Sequence, residues 1–325
     1  MSSKPSFFKS GFWIPSLIAF LVYFPVLYLG SAWEDDHVVV DPIARNFGLM
    51  LKGFYRNINI SGSHFFPFSY FQCFIVNSIF GNNALPYGFH LYQLISNVVS
   101  CLLAVLILFK ITRNKLISIL IVSFWTVHPL NVESLTRLVC APAHIPAGTF
   151  CLAFLLCFLE ISERKKSSSK LLLSVLGILF FLASITSYEQ YILFPFLVLF
   201  LVSLFKGKEI SRKDYFYFLI LPTILVYTFY FIWRFMANRG ALFYPDYEFI
   251  TWTSIGSIKD IFFRTVWLSP QLLVHYLRLF FCPDYLAESK ADWYAVGGSI
   301  WSLYSIFCQV LTMVLILSAL FLRKK

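Results

Sequence analysis

The chain reads as an all-α polytopic membrane protein of about eight crossing helices, with further helices lying on the outer face. Three observations predict this. Hydrophobic residues make up 59% of the chain and charged ones only 13%, with a mean hydropathy of +0.74, a balance outside the range of soluble domains. Apolar runs near bilayer length recur along the chain, separated by short polar links. Lysine and arginine cluster between alternate runs, as retention on the cytoplasmic side requires.

The elements follow in order. Residues 12–29 form an apolar run that can cross a bilayer, preceded by Lys4 and Lys9. The run exceeds a usual signal core, so it is expected to be an uncleaved first helix. Residues 31–87 are a mixed-polarity outer loop. Asn59, Ile60 and Ser61 spell a glycosylation sequon, and the aromatic stretch 65–80 is too short to span. That stretch is expected to lie on the membrane as an interfacial helix. Spans are predicted at 88–109, 115–128, 143–161, 171–187, 189–206, 215–235 and 299–322. The span at 115–128 is short and calls for local thinning or enclosure by its neighbours. Residues 236–298 form a second outer segment. Within it, 260–282 is apolar but carries Arg264, His275 and Arg278 and is broken by Pro270. It is expected to be amphipathic and interfacial.

Charge sets the orientation. Lys110, Arg113 and Lys115 form one basic cluster, Arg164, Lys165, Lys166 and Lys170 another, and Lys206, Lys208, Arg212 and Lys213 a third. With the amino terminus inside, these all fall on the cytoplasmic side. Arg323, Lys324 and Lys325 join them if 260–282 does not cross. Both termini are then cytoplasmic, and residues 1–325 form a single integral domain. The net charge of +10 reports this retention rather than nucleic-acid binding, and no finger or helix-turn-helix pattern is visible. The seven cysteines are odd in number and without a C-x-x-C spacing, which argues against a disulfide framework or zinc site.

The same count places the remaining polar chemistry outside. Glu34, Asp35, Asp36 and His37 follow the first run directly. Adjacent carboxylates at a membrane surface need compensation. Asp35 or Asp36 is the expected general base for a hydroxyl acceptor. No metal is required, although Glu34, Asp35, Asp36 and His37 are the residues that would hold a divalent cation. Pro129 ends a helix, which puts His128 and Glu133 in the turn beyond it, with Arg137 one helical turn from Glu133. Glu189 sits between two apolar runs with almost no loop, which makes it a functional candidate or a polar hairpin tip. Arg234 closes a long apolar helix on the side where basic residues are disfavoured. A phosphate ligand or snorkelling would each account for it, and Arg239, Arg264 and Arg278 can serve the same anion.

In this order the residues bear a resemblance to the membrane core of GT-C glycosyltransferases, nearest to the protein O-mannosyltransferase-like group that includes the tetratricopeptide-repeat mannosyltransferases. In that group a first-loop Asp-Asp precedes an Asn-Pro; here Asp35 and Asp36 precede Asp41 and Pro42. Pro67 and then Gly88, Phe89 and His90 fit an aromatic Pro stretch and a Tyr-His opening the second helix. An "HPxxxE" motif is His128 and Pro129 through Glu133. A "KE" before a Pro-containing helix is Tyr188 and Glu189 ahead of Pro195. Arg234 fits an Arg closing the next long helix, and Pro283 with Leu286 a late "P..L".

The resemblance covers roughly residues 30–290. It implies a GT-C-like fold and transfer of a sugar, a mannose-like hexose as the best match, from a polyprenyl-phosphate carrier to a protein, lipid or glycan hydroxyl. It implies Asp35 or Asp36 as base, Arg234, Arg264 and Arg278 as donor-phosphate ligands, and His90, His128, Glu133 and Glu189 as site-shaping residues. Three positions depart from the pattern. Phe66 replaces an Arg, the stretch from Cys140 to His144 replaces a Gly-Arg-x-Asp/Glu, and Tyr188 replaces a Lys. Other arginines then substitute, the donor differs, or the chain is a non-catalytic membrane subunit or scaffold. A lipid transporter is a further alternative, although no internal repeat marks one. The expected location is a bacterial inner membrane rather than the endoplasmic reticulum.

Overall fold

The structure, a computed structural model, describes residues 11–30, 45–56, 65–128, 130–137, 143–163, 166–206 and 212–237, with 306–314 and the single positions 270 and 274 beyond them. The described residues are helical throughout, without a strand. Contacts divide the chain into two compact units. One holds residues 1–127 and 131–244, and the other holds residues 128–130 and 245–325, in which 306–314 is helical.

Helix α1 runs Ile14–Tyr23 and tightens into a 3₁₀ turn, Phe24–Tyr28. Pro25 lacks the N–H that would extend the α-ladder. Helix α2, Phe47–Tyr55, begins at Asn46, whose side chain accepts from Leu49 N at 3.1 Å. Helix α3, Pro67–Phe80, starts on a proline and stops at Gly81, whose φ of 55° paired with a ψ of −124° calls for glycine. A short 3₁₀ turn and the irregular turn Ala84–Gly88 then lead into helix α4, Phe89–Thr112. Arg113 closes α4 in the left-handed conformation, and Asn114 caps α5, Lys115–Thr126. Helix α6 is Leu130–Thr136, α7 is His144–Glu163 and α8 is Ser167–Ser187. A 3₁₀ turn, Glu189–Leu193, opens α9, Phe194–Lys206. Helix α10, Arg212–Tyr215, passes through a π turn at Phe216–Ile220 into α11, Leu221–Ala237.

Four of these helical runs are long and apolar enough to cross a membrane: Pro67–Thr112, His144–Ile161, Ser167–Ser187 and Phe216–Ala237. Ile14–Tyr28, Lys115–Thr126 and Glu189–Leu199 are apolar but shorter. The outward faces have the same chemistry as the interior. Leu171, Leu172, Val175 and Leu179 are exposed along one side of α8, as are Ile224, Leu225, Phe229 and Ile232 on α11. Water solvates such faces poorly and lipid covers them well.

The core joins α7, α8 and α11. Phe154 and Phe158 of α7 meet Phe181 and Ile185 of α8 and Val226 and Tyr230 of α11. Gly177 of α8 faces α7, with room for a Cβ in ordinary contact with Phe154 at 3.4 Å. A second cluster joins α1, α4 and α5 through Ala19, Cys101, Val105 and Val122. Tyr23 supports it by donating to Thr126 O at 2.9 Å.

The ends of this unit differ in chemistry. At one, Lys110 lies 2.7 Å from both Glu160 and Glu163, and Arg113 lies 3.2 Å from Glu163. These pairs hold the carboxyl ends of α4 and α7 together. The other end gathers the start of α7, the end of α8 and the end of α11.

Two sequence expectations change. The segment expected as a loop ahead of residue 65 contains a helix, α2. Glu133 lies within helix α6 instead of a turn, because a proline that stops one helix leaves the residues after it free to begin another. The sequon at Asn59 lies outside the described residues, as does the segment 260–282 apart from positions 270 and 274.

Candidate functional site

The polar centre of the larger unit forms around Glu189. Helix α8 ends at Ser187, and Glu189 opens the 3₁₀ turn that follows it. Its Oε1 lies 2.5 Å from Arg234 Nη1. The same oxygen accepts from Tyr230 Oη at 2.9 Å and from the Phe65 backbone N–H at 2.8 Å. Tyr230 and Arg234 are one turn apart on α11, so both reach the same oxygen. Arg234 in turn donates to Tyr230 Oη at 3.4 Å. The arginine side chain is 7% exposed and the glutamate 18%, so this ion pair is largely shielded from water. Arg234 therefore does not snorkel; its compensation is internal.

The donor from Phe65 matters because it comes from the segment that leads into α3. Ser69 Oγ donates to Ser187 O at 2.8 Å, and Gln72 Nε2 donates to Ser187 Oγ at 2.6 Å. Tyr92 completes the chain by donating to Gln72 Oε1 at 2.6 Å. Trp233 Nε1 donates to Phe54 O, and its ring stacks on Phe54 and meets Phe65 edge-on. Helices α2 and α3 are thus fastened over the ends of α8 and α11.

Beside this cluster, His144 stacks on Tyr188 with centroids 4.2 Å apart, and Phe66 lies 6.0 Å from Tyr188. Phe66, Tyr188 and His144 therefore meet in space as one aromatic group. Tyr188 and His144 also line a cavity of about 500 Å³ between α4, α6, α7 and the turn after α8.

The remaining sequence candidates fall as follows. His90 opens α4 and is fully buried, and His128, after α5, is 5% exposed. Glu133 belongs to α6. Glu34, Asp35, Asp36, His37, Arg239, Arg264 and Arg278 lie outside the described residues. No group of three or more His, Cys, Asp or Glu able to hold a metal occurs among the described residues. The structure brings Glu189 and Arg234 together and adds Tyr230 and the Phe65 N–H, which sequence reasoning missed. The spacing of Tyr230 and Arg234 on one helix face was the available signal for the tyrosine.

No family model matches the chain, and neither a curated protein nor a solved structure matches it.

Proposed function

We propose that the chain is a membrane glycosyltransferase that moves a neutral hexose from a polyprenyl-phosphate carrier to a hydroxyl acceptor on the outer face. The proposed frame is GT-C-like, with eight crossings of a bacterial inner membrane and both termini in the cytoplasm. The observation that carries this reading is the cluster of Glu189, Tyr230 and Arg234, which fastens α2 and α3 over the ends of α8 and α11, at the end of the unit opposite the Lys110 pairs. A scaffold of this kind holds a site in register at a membrane surface.

In the proposed reaction Asp35 or Asp36 takes the proton of the acceptor hydroxyl. The acceptor oxygen bonds to the anomeric carbon as the carbon–oxygen bond to the carrier phosphate breaks. The leaving phosphate takes the electron pair, and Arg264 and Arg278 balance its charge as it develops. Arg234 contributes from behind, held in place by Glu189. No step needs a metal.

The test is transfer of label from a panel of polyprenyl-phosphate sugars by the purified chain in membrane extract. Asp35→Ala with Asp36→Ala is expected to lower the rate by about 10²–10⁴-fold, the usual contribution of a general base. Full activity in that variant would remove the base assignment.

One observation favours a second reading, a non-catalytic membrane subunit of the same architecture. Arg234 already has an internal countercharge, and two positions where the family carries cations hold Phe66 and Tyr188. Absence of transfer from every donor, by a folded chain, would favour it.

A further inference from the structure

We propose that α2 docks on the bilayer surface, with its outward apolar row in the acyl boundary and Arg45, Lys52 and Arg56 on the phosphates of anionic phospholipids. The row is set by spacing. Phe47, Leu51 and Tyr55 recur every four residues and so share one side of the helix. They are 56%, 45% and 67% exposed. The other side of α2 is already occupied. Met50 and Gly53 are buried, and Phe54 stacks on Trp233 of α11.

Length separates this row from the other exposed apolar faces. At a rise of 1.5 Å per residue, the 9 residues of α2 reach about 14 Å, under half of a hydrocarbon core of about 30 Å. Helices α8 and α11 have equally apolar outward faces but are long enough to cross. Helix α2 can meet lipid only at the surface. Its position suits that, because Trp233 donates to Phe54 O and holds α2 at the end of α11. The end of a crossing helix lies near the headgroups.

Charge supplies the independent observation. Arg45 precedes the capping Asn46, Lys52 lies in the last turn, and Arg56 follows the last residue. Arg45 and Arg56 are exposed, and α2 contains no acidic residue. None of the three cations has an ion-pair partner among the described residues. The neighbouring α3 exposes Ile75 and Ile79 but carries no basic residue.

These features select the partner. An apolar row bordered by basic residues lies in the plane of a membrane, with the row about 5–10 Å into the headgroup boundary. The alkyl stems of lysine and arginine run along apolar surface while their heads reach the phosphates. The tyrosine ring suits the same level, with an apolar body and a polar tip. A zwitterionic leaflet satisfies the apolar row alone. A negative surface potential also draws in the three cations. The inference stands whether the chain transfers a sugar or serves as a subunit.

The experiment uses the full chain in lipid nanodiscs, in a cysteine-free background. A nitroxide is attached to Leu51→Cys, Tyr55→Cys or Arg56→Cys. Power saturation compares collisions with oxygen, which enters lipid, and with a water-soluble nickel chelate. Labels at 51 and 55 are expected to favour oxygen, and the label at 56 the chelate. A fluorophore at position 51 then reads which lipid is near. Phosphatidylglycerol with a quencher on its acyl chain is expected to quench about fivefold more than the matching phosphatidylcholine, the enrichment that one basic contact near the surface gives. Arg45→Gln, Lys52→Gln and Arg56→Gln together are expected to make the two lipids equal and to leave the oxygen preference at 51 in place. An unfolding temperature equal to the parent's shows that each variant is folded, and Tyr55, the most exposed position of the row, serves both readouts if Leu51→Cys is not. Chelate reaching 51 and 55 as freely as 56 would overturn the proposal. So would exclusion of both reagents, which would mean that protein covers the row. Equal quenching by the two lipids in the parent, or a preference retained in the triple variant, would remove the phosphate contacts.

Discussion

Glu189 owes its position to three donors that arrive from two elements. The Phe65 N–H comes from the segment leading into α3, and the Tyr230 hydroxyl and Arg234 guanidinium come from α11. Removing one member of a buried pair strands the other, at a cost of about 3–5 kcal/mol. Arg234→Met alone is therefore expected to lower thermal stability sharply. Glu189→Gln combined with Arg234→Met is expected to recover most of the loss, because the amide oxygen still accepts from Phe65 and Tyr230. Thermal unfolding in nanodiscs measures both, and a double variant no more stable than the single one would contradict the pairing. From the sequence alone both charges are expected at one and the same end, by the alternation of basic clusters. The sequence does not show that they meet, because no local spacing links residues separated by a whole apolar run.

At the scale of elements, α2 shows what hydropathy misses. Phe47, Met50, Leu51 and Phe54 recur at helical spacing behind the capping Asn46, yet the run is only 9 residues long. A mean-hydropathy reading merges it with the surrounding loop. Its stability comes from its contacts, chiefly those with Trp233 of α11. Trp233→Ala is expected to free α2 at a cost of about 3 kcal/mol, the lower end for large-to-small changes because the ring is only half-buried. Limited trypsin digestion then cuts at Arg56 well before the rest of the chain, whereas Trp233→Phe, which retains the stacking, stays protected. Equal digestion of the two variants would mean that α2 is held by something else. The long helices were more legible. The readings 143–161 and 171–187 agree with His144–Glu163 and Ser167–Ser187 to within a few residues, because charged links bound each apolar run on the sequence itself.

At the scale of the whole molecule, the two ends of the larger unit carry opposite kinds of chemistry. One has the Lys110, Arg113, Glu160 and Glu163 pairs and the other the Glu189 cluster. The rule for basic residues puts the first end inside. In a cysteine-free background, Gln190→Cys is expected to react with an impermeant thiol reagent added outside intact cells. Lys166→Cys is expected to react only after permeabilisation. Both residues are exposed, so silence at either would report the barrier and not burial. Labelling of both from one side would overturn the arrangement. The cavity at the Glu189 end was not legible in sequence, because its aromatic and amide walls come from four separated stretches, none of which forms a motif by itself.

The Glu189 cluster also bears on the order of synthesis. A ribosome releases Phe65 long before Glu189, and Arg234 only after α9 and most of α11 have followed. At about 5–20 residues per second, the carboxylate waits on the order of seconds for its cation. Through that interval it has one of its three donors, and an uncompensated charge does not settle below a wet surface. The turn that begins at Glu189 therefore reaches its final depth late, when α11 delivers Tyr230 and Arg234. Assembly of this end of the molecule is timed by the emergence of α11.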